Sequence, residues 1–211
     1  MFKNRFINMN FDTNLIKIQN GYYYYGNIKI PLLSGEFHFW RNNKKYWPRI
    51  LDAIKDLGFK HITTYVEWDF HKNGIDMFDF CGKTNQQTDL EGYLNLLEKR
   101  RDFWLSIRPG PYIYAETEFG GPTEEAAKYH RNHPRFLEMA ENYIKNLCKV
   151  LKPHLITNGG VIIFCQLDNE VSMIKHQDQV LNLPLEDPCS FRAFIKEKYG
   201  GWEEASKIYG L

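Results

Sequence analysis

An α/β protein assembled from parallel β/α units is the fold class predicted for this 211-residue chain, and three observations carry it. Short apolar runs starting near residues 32, 61, 103 and 161 alternate with stretches of helical periodicity, so a crossover helix fits between each pair of strands. The last run, Val161 to Leu167, is almost continuously apolar, which suits a parallel strand covered on both faces. Each run also ends in acids, amides or aromatics, and folds of this class place their sites beyond the carboxyl ends of the strands. A closed barrel of eight units takes about 250 residues, and here the fourth strand ends at residue 167. The chain therefore reads as the first half of a (β/α)8 TIM barrel, about four to five units. A small open α/β sheet is the competing fold.

Residues 1–30 read as an N-terminal β-hairpin region and residues 31–211 as the N-terminal part of the barrel domain. Alternation around Asn20-Gly21 and Gly26-Asn27 predicts short antiparallel strands between Leu15 and Ile30. The four tyrosines Tyr22 to Tyr25 fit strand alternation, with half the rings turned inward. Pro31 to His38 is the first parallel strand. A helix follows through Trp47, Ile50, Leu51, Ile54 and Leu57, entered at Pro48 and ended by Gly58. His61 to Glu67 is the second strand. Thr88 with Glu91 forms a capping-box pattern ahead of Leu90, Leu94 and Leu97. Phe103 to Arg108 is the third strand, stopped by Pro109. A helix from Pro134 carries Leu137, Met139, Ala140, Tyr143, Ile144, Leu147 and Leu151 toward the sheet and leads to the fourth strand. Phe191 to Tyr199 is a further helix closed by Gly200-Gly201, and a short one occupies 202–209.

Composition narrows the function classes. The 27 basic and 26 acidic residues leave a formal charge of +1 without a basic block, so nucleic-acid binding has no electrostatic footprint. No run approaches the length of a membrane span, and the opening MFKNRFINMNFDTN lacks the apolar segment of a signal peptide. A cytoplasmic location is the default expectation. Cys81, Cys148, Cys165 and Cys189 have neither zinc-knuckle spacing nor disulfide-scaffold density. Cys148 and Cys165 lie in apolar runs and are expected to be small buried hydrophobes. His130 and His133 precede Pro134 at a helix entrance, the expected place for a solvated histidine rather than a metal ligand.

The strand ends converge chemically. The first carries Glu36 and His38; the second Tyr65, Glu67, Trp68 and Asp69; the third Arg108 and, past a turn, Tyr112, Glu116 and Glu118; the fourth Gln166, Asp168, Asn169 and Glu170. Buried polar groups at one edge need partners, and a polyhydroxylated ligand supplies them. Trp68 is the ring expected to cover the apolar face of a sugar. Arg108 reads equally as a structural partner of a neighbouring carboxylate.

At these residues, from about Leu33 to Glu170, the sequence resembles the catalytic barrel of glycoside hydrolase family 35, the β-galactosidase family that also contains exo-β-glucosaminidases. Its SG-x-x-HY-x-R pattern is similar to Ser34 to Arg41, SGEFHFWR. Its TYVPWN corresponds to Thr64 to Asp69, TYVEWD, and its RPGPYICAEW-x-x-GG to Arg108 to Gly121, RPGPYIYAETEFGG. The signature GGP, two aliphatics, two free positions and QxENE plus an aromatic is met by Gly159 to Val171, GGVIIFCQLDNEV. Val161, Asp168, Val171, Phe39, Glu67 and Thr117 depart from the family's residues. The LPAWL segment is replaced by PTEEAAKYH, Pro122 to His130. FRAFIKEKYGGWEEASKIYG also resembles a helical segment of family 42.

The resemblance implies a retaining exo-β-glycosidase, most simply β-galactosidase-like. An exo-β-glucosaminidase or a non-catalytic carbohydrate-binding half-barrel are the alternatives. Glu170 would be the general acid/base, and Asn169 would bind the sugar near its reacting carbon. Tyr65, Ile113, Tyr114, Ala115 and Glu116 would line the terminal-sugar subsite. No metal or organic cofactor is implied. The partner is a carbohydrate substrate, not nucleic acid or a membrane. The family's nucleophile lies on a seventh strand, so the missing C-terminal half of the barrel, a second chain or another copy is expected to complete the site.

Overall fold

The structure, a computed structural model, describes residues 16–74, 76–170, 187–188 and 190–210. Leu15, Val171 and Cys189 of the sequence reading lie outside these residues.

Three antiparallel strands come first, β1 (Ile16–Gln19), β2 (Tyr22–Tyr25) and β3 (Ile28–Ile30). Asn20 and Gly21 both have positive φ, 50° and 75°, as a tight two-residue hairpin turn requires. The tyrosines alternate as expected. Tyr23 and Tyr25 stand edge-on against Phe164 and Trp104, at 5.5 and 6.0 Å between ring centroids, whereas Tyr22 is exposed beneath the Lys29 ammonium.

Four parallel strands form the second sheet in the order β4 (Gly35–Glu36), β5 (His61–Tyr65), β6 (Trp104–Gly110) and β7 (Ile162–Leu167). Between them run α1 (Trp47–Asp56), α2 (Trp68–His71), α3 (Leu90–Arg100), α4 (Glu124–Ala127) and α5 (Pro134–Leu151). After β7 come α6 (Phe191–Tyr199) and α7 (Trp202–Tyr209), with Gly200 at φ 85° ending α6. Strand alternation divides β6. Leu105 and Ile107 are fully buried in one cluster with Leu94 and Leu97 of α3 and Tyr143 and Leu147 of α5. Burial of each such side chain contributes about 1.5–3 kcal/mol. The alternate residues Trp104, Ser106 and Arg108 lie on the other face.

That face is layered from apolar to polar along the strands. At the amino end, Trp104 and Phe164 meet the tyrosines of β2, and His61 packs against Phe164. In the middle, the Thr63 hydroxyl donates to Ser34 Oγ at 2.9 Å, and His61 Nε2 lies 2.6 Å from Ser106 Oγ. The Pro31 carbonyl, 2.9 Å from His61 Nδ1, takes the ring proton, so Nε2 accepts from Ser106. Burial keeps this imidazole neutral by lowering its pKa. At the carboxyl end the layer is charged.

Several expectations are corrected. The first strand shrinks to Gly35–Glu36, with Leu32 and Leu33 exposed, because only that segment reaches the β5 ladder. The cap of α3 is Asp89, which accepts from the Gly92 amide at 2.8 Å; Thr88 instead donates to the Asn85 carbonyl. Pro109 does not stop β6. Its missing N–H is tolerated, the strand runs on to Gly110, and its carbonyl accepts from the Tyr143 hydroxyl. Leu57 and Leu137 are exposed rather than in the core. Cys148 and Cys165 are exposed as well, and so is the outer half of β7 through Leu167, because β7 is an edge strand among the described residues. Trp68 is buried, stacked on Tyr143 at 5.0 Å, and is thus core rather than a sugar platform.

Candidate active site

Arg108 organises the carboxyl ends of the strands. One nitrogen of its guanidinium donates to Glu36 Oε1 and the other to Asn169 Oδ1, both at 2.7 Å. The same group lies 3.9 Å above the Tyr65 ring. The expected structural pairing of Arg108 is therefore present, and it reaches the site as well. Asn169 Oδ1 also accepts from Gln166 Nε2 at 3.1 Å, so its Nδ2 is the donor that reaches the Ile113 carbonyl at 3.0 Å. Three side-chain bonds fix both the rotamer and the amide orientation of this buried residue.

The loop after β6 is wound tightly. The amides of Ile113 and Tyr114 both donate to the Gly120 carbonyl, and Thr117 returns to the Tyr114 carbonyl through its amide and its hydroxyl. Tyr114, Ala115 and Glu116 are consecutive left-handed residues, with φ of 58°, 39° and 52°. Such backbone costs about 1–3 kcal/mol per residue and persists only when neighbours hold it. Arg41 supplies part of that hold: it donates to the Ala115 carbonyl and pairs with Glu116 at 3.4 Å. Gly121 supplies another, since a Cβ there would stand 2.8 Å from the Pro111 carbonyl.

A second arginine closes the opposite side. Arg131 pairs with Asp168 Oδ2, donates to the Tyr114 hydroxyl at 3.0 Å and lies 3.9 Å over the Tyr112 ring. Asp168 and Glu170 are themselves left-handed, at φ 58° and 46°. Burial raises the pKa of Tyr65, Arg108 opposes the rise, and the charges of Glu36, Glu170 and Glu116 add to it. Three carboxylates thus act on one phenol. Burial also lowers His38, whose ring is 5.0 Å from that of Tyr65 and whose Nε2 is 3.8 Å from Glu36. Among the described residues, no group of three or more His, Cys, Asp and Glu is placed to hold a metal ion.

Tyr65 and Asn169 therefore meet through Arg108, and Ile113 joins them through Asn169. Ala115 and Glu116 are held on Arg41, Tyr114 is held on Arg131, and Glu170 stands exposed beside Asn169. Glu67, at the same sheet edge, caps α2 through the Phe70 amide. Sequence reasoning missed Arg131, which has no local signal. Arg41 was present in the motif of the first strand but was given no role.

A parallel sheet with crossover helices and a polar cluster beyond its carboxyl ends defines a mixed α/β protein related to the (β/α)8 barrels. The chain belongs to glycosyl hydrolases family 35, whose profile matches residues 24–198. It is 30% identical over 185 residues to beta-galactosidase-1-like protein 3 of Mus musculus, covering 85% of this chain and 27% of that protein. Over 166 residues it is 30% identical to the exo-beta-D-glucosaminidase of Pyrococcus horikoshii, covering 68% and 21%. The fold is shared with the beta-galactosidase from Bacillus circulans sp. alkalophilus, at TM-score 0.50 and 16% identity, over 84% of this chain and 26% of that one. The chain thus spans about a quarter of the length of these proteins.

Proposed function

We propose that these residues form the acid/base half of a retaining exo-β-glycosidase site acting on terminal non-reducing β-linked sugars, β-galactosidase-like in its simplest form. The observation that carries this reading is the Asn169–Glu170 turn. Asn169 is clamped by Arg108, Gln166 and Ile113, and the next residue is an exposed carboxyl group. Ile113 takes one of the two Asn169 amide hydrogens, which leaves the other for a substituent of the bound sugar. Glu170 donates its proton to the glycosidic oxygen as the bond breaks. A second carboxylate about 5 Å away takes up the sugar carbon, and Glu170 then activates water to release it. In this reading the second carboxylate comes from strands beyond the four described here, docked against the edges of β4 and β7. The glucosaminidase reading is kept because one similar protein has that activity and because Asn169 suits a 2-amino as well as a 2-hydroxyl group.

The test is turnover of aryl β-galactosides and aryl β-glucosaminides by an assembly that contains the remaining strands. Glu170→Gln is expected to lower kcat by about 10²–10⁴-fold on a poor leaving group. Undiminished turnover removes Glu170 from the mechanism. Calorimetric sugar binding without any turnover leaves a binding module instead.

A further inference from the structure

We propose that Arg131 is a positioning residue: it clasps the acid/base turn 168–170 to the loop 112–116 and, through Asp168, sets where Glu170 stands. The inference rests on the acid/base assignment of Glu170 made above. Arg131 comes from the connection between α4 and α5 and belongs to neither loop. Its guanidinium engages Asp168 Oδ2, the Tyr114 hydroxyl and the face of Tyr112. The other oxygen of Asp168, Oδ1, accepts from the backbone amides of Tyr112 at 3.2 Å and Asn169 at 3.0 Å. One carboxylate therefore holds both backbones, and one arginine holds that carboxylate.

The backbone so held is strained. Asp168 and Glu170 flank Asn169 in the left-handed region, and Tyr114 across the gap is left-handed too. Asn169 has its own side-chain anchors on Arg108, Gln166 and Ile113, which do not involve Arg131. The φ of Asp168, which aims the turn toward Glu170, belongs to the residue whose side chain Arg131 grips. Release of Arg131 thus acts on the aim of Glu170 before it acts on the sugar-binding amide. Lysine cannot replace the fork, because one ammonium cannot span Asp168 and the Tyr114 hydroxyl while lying flat on Tyr112.

The clasp is read directly by amide hydrogen exchange on the 211-residue chain. In Arg131→Met the Tyr112 and Asn169 amides are expected to exchange about tenfold faster while those of β5 and β6 hold their rates, with partial recovery in Arg131→Lys. Should Arg131→Met fail to fold, Asp168→Asn weakens the same pair with little change of shape and is expected to release the same two amides. Unchanged protection at both amides overturns the clasp. The positioning is read in the assembled enzyme by leaving-group dependence, since a departing dinitrophenolate needs no acid and a departing alkoxide does. Arg131→Met is expected to lose about 100-fold in kcat on a poor leaving group and under threefold on a good one, with KM within about twofold. Equal losses on both, alongside a selective loss in Glu170→Gln, overturn positioning. If Glu170→Gln itself shows no such selectivity, the acid/base reading fails and the positioning role falls with it, a failure recognisable because the exchange result is independent of turnover.

Discussion

Glu67 illustrates how much the setting of one residue decides. It occupies the end of the second strand, among residues that the sequence gathers at the site edge, yet it is buried and its carboxylate caps α2. Burial pushes its pKa up to about 7, against the pull of the Phe70 amide and with a push from Asp69. A folded-state pKa above the ordinary value means that the fold favours the neutral acid. The associated stability is complete below about pH 4.5 and is lost as pH rises through 7. That gap corresponds to roughly 3 kcal/mol at most. Glu67→Gln, whose amide oxygen still accepts from Phe70, should gain stability relative to wild type between pH 5 and pH 8 in urea melts. An identical difference at both pH values refutes the buried-acid account. His71 acts on the acid side: burial lowers it to about 4, so its contribution is present above pH 6.5 and fades as pH falls toward 4. The gathering of Arg108, Asn169 and Glu170 at one sheet edge was legible because contiguous motifs carry them. Arg131 was not legible, because nothing in its neighbours foretells a carboxylate 37 positions away.

At the scale of elements, α5 is the strut behind the site. Its Tyr143 is fully buried and shares its one hydroxyl proton between the Val66 carbonyl at 3.0 Å and the Pro109 carbonyl at 3.1 Å, near the carboxyl ends of β5 and β6. Val66 follows the last residue of β5 and Pro109 lies where the β6–β7 register shifts, so the phenol bonds carbonyls at the irregular end of the ladder. Tyr143→Phe should cost about 1–3 kcal/mol in chemical denaturation, since it leaves buried acceptors without a donor. A loss of less than about 0.5 kcal/mol would show that the carbonyls find other partners. Periodicity placed α1, α3, α5, α6 and α7 correctly, because a helical stripe is a local pattern. Element ends were less legible. Thr88 and Asp89 are both good caps by residue type, and only the turn through Asn85 decides between them. The length of β4 depends on where its partner β5 begins.

For the whole molecule, the β7 edge, exposed among the described residues, governs behaviour. β7 ends in Leu167, 78% exposed, and α6 and α7 expose Phe191, Trp202 and Ile208. Parallel sheets are ordinarily covered, and bare edges with apolar neighbours invite further pairing. The 211-residue chain by itself should therefore associate with rising concentration in sedimentation velocity, and Leu167→Lys should weaken that association; equal behaviour of the two would mean that this edge takes no part. The same edge explains why Cys165 was misread, since an apolar run signals a strand but not whether anything packs on its outer side. The sequence by itself determined the order of β/α units, the gathering of polar groups at the strand ends and the family, all of which rest on local periodicity and contiguous motifs. Tertiary structure alone decided that Arg108 joins Glu36 to Asn169 across 72 and 61 positions, that Arg131 grips Asp168, and that Trp68 turns into the core. Those outcomes follow from strand register and loop closure, which bring distant residues within hydrogen-bond reach and which no short stretch of sequence contains.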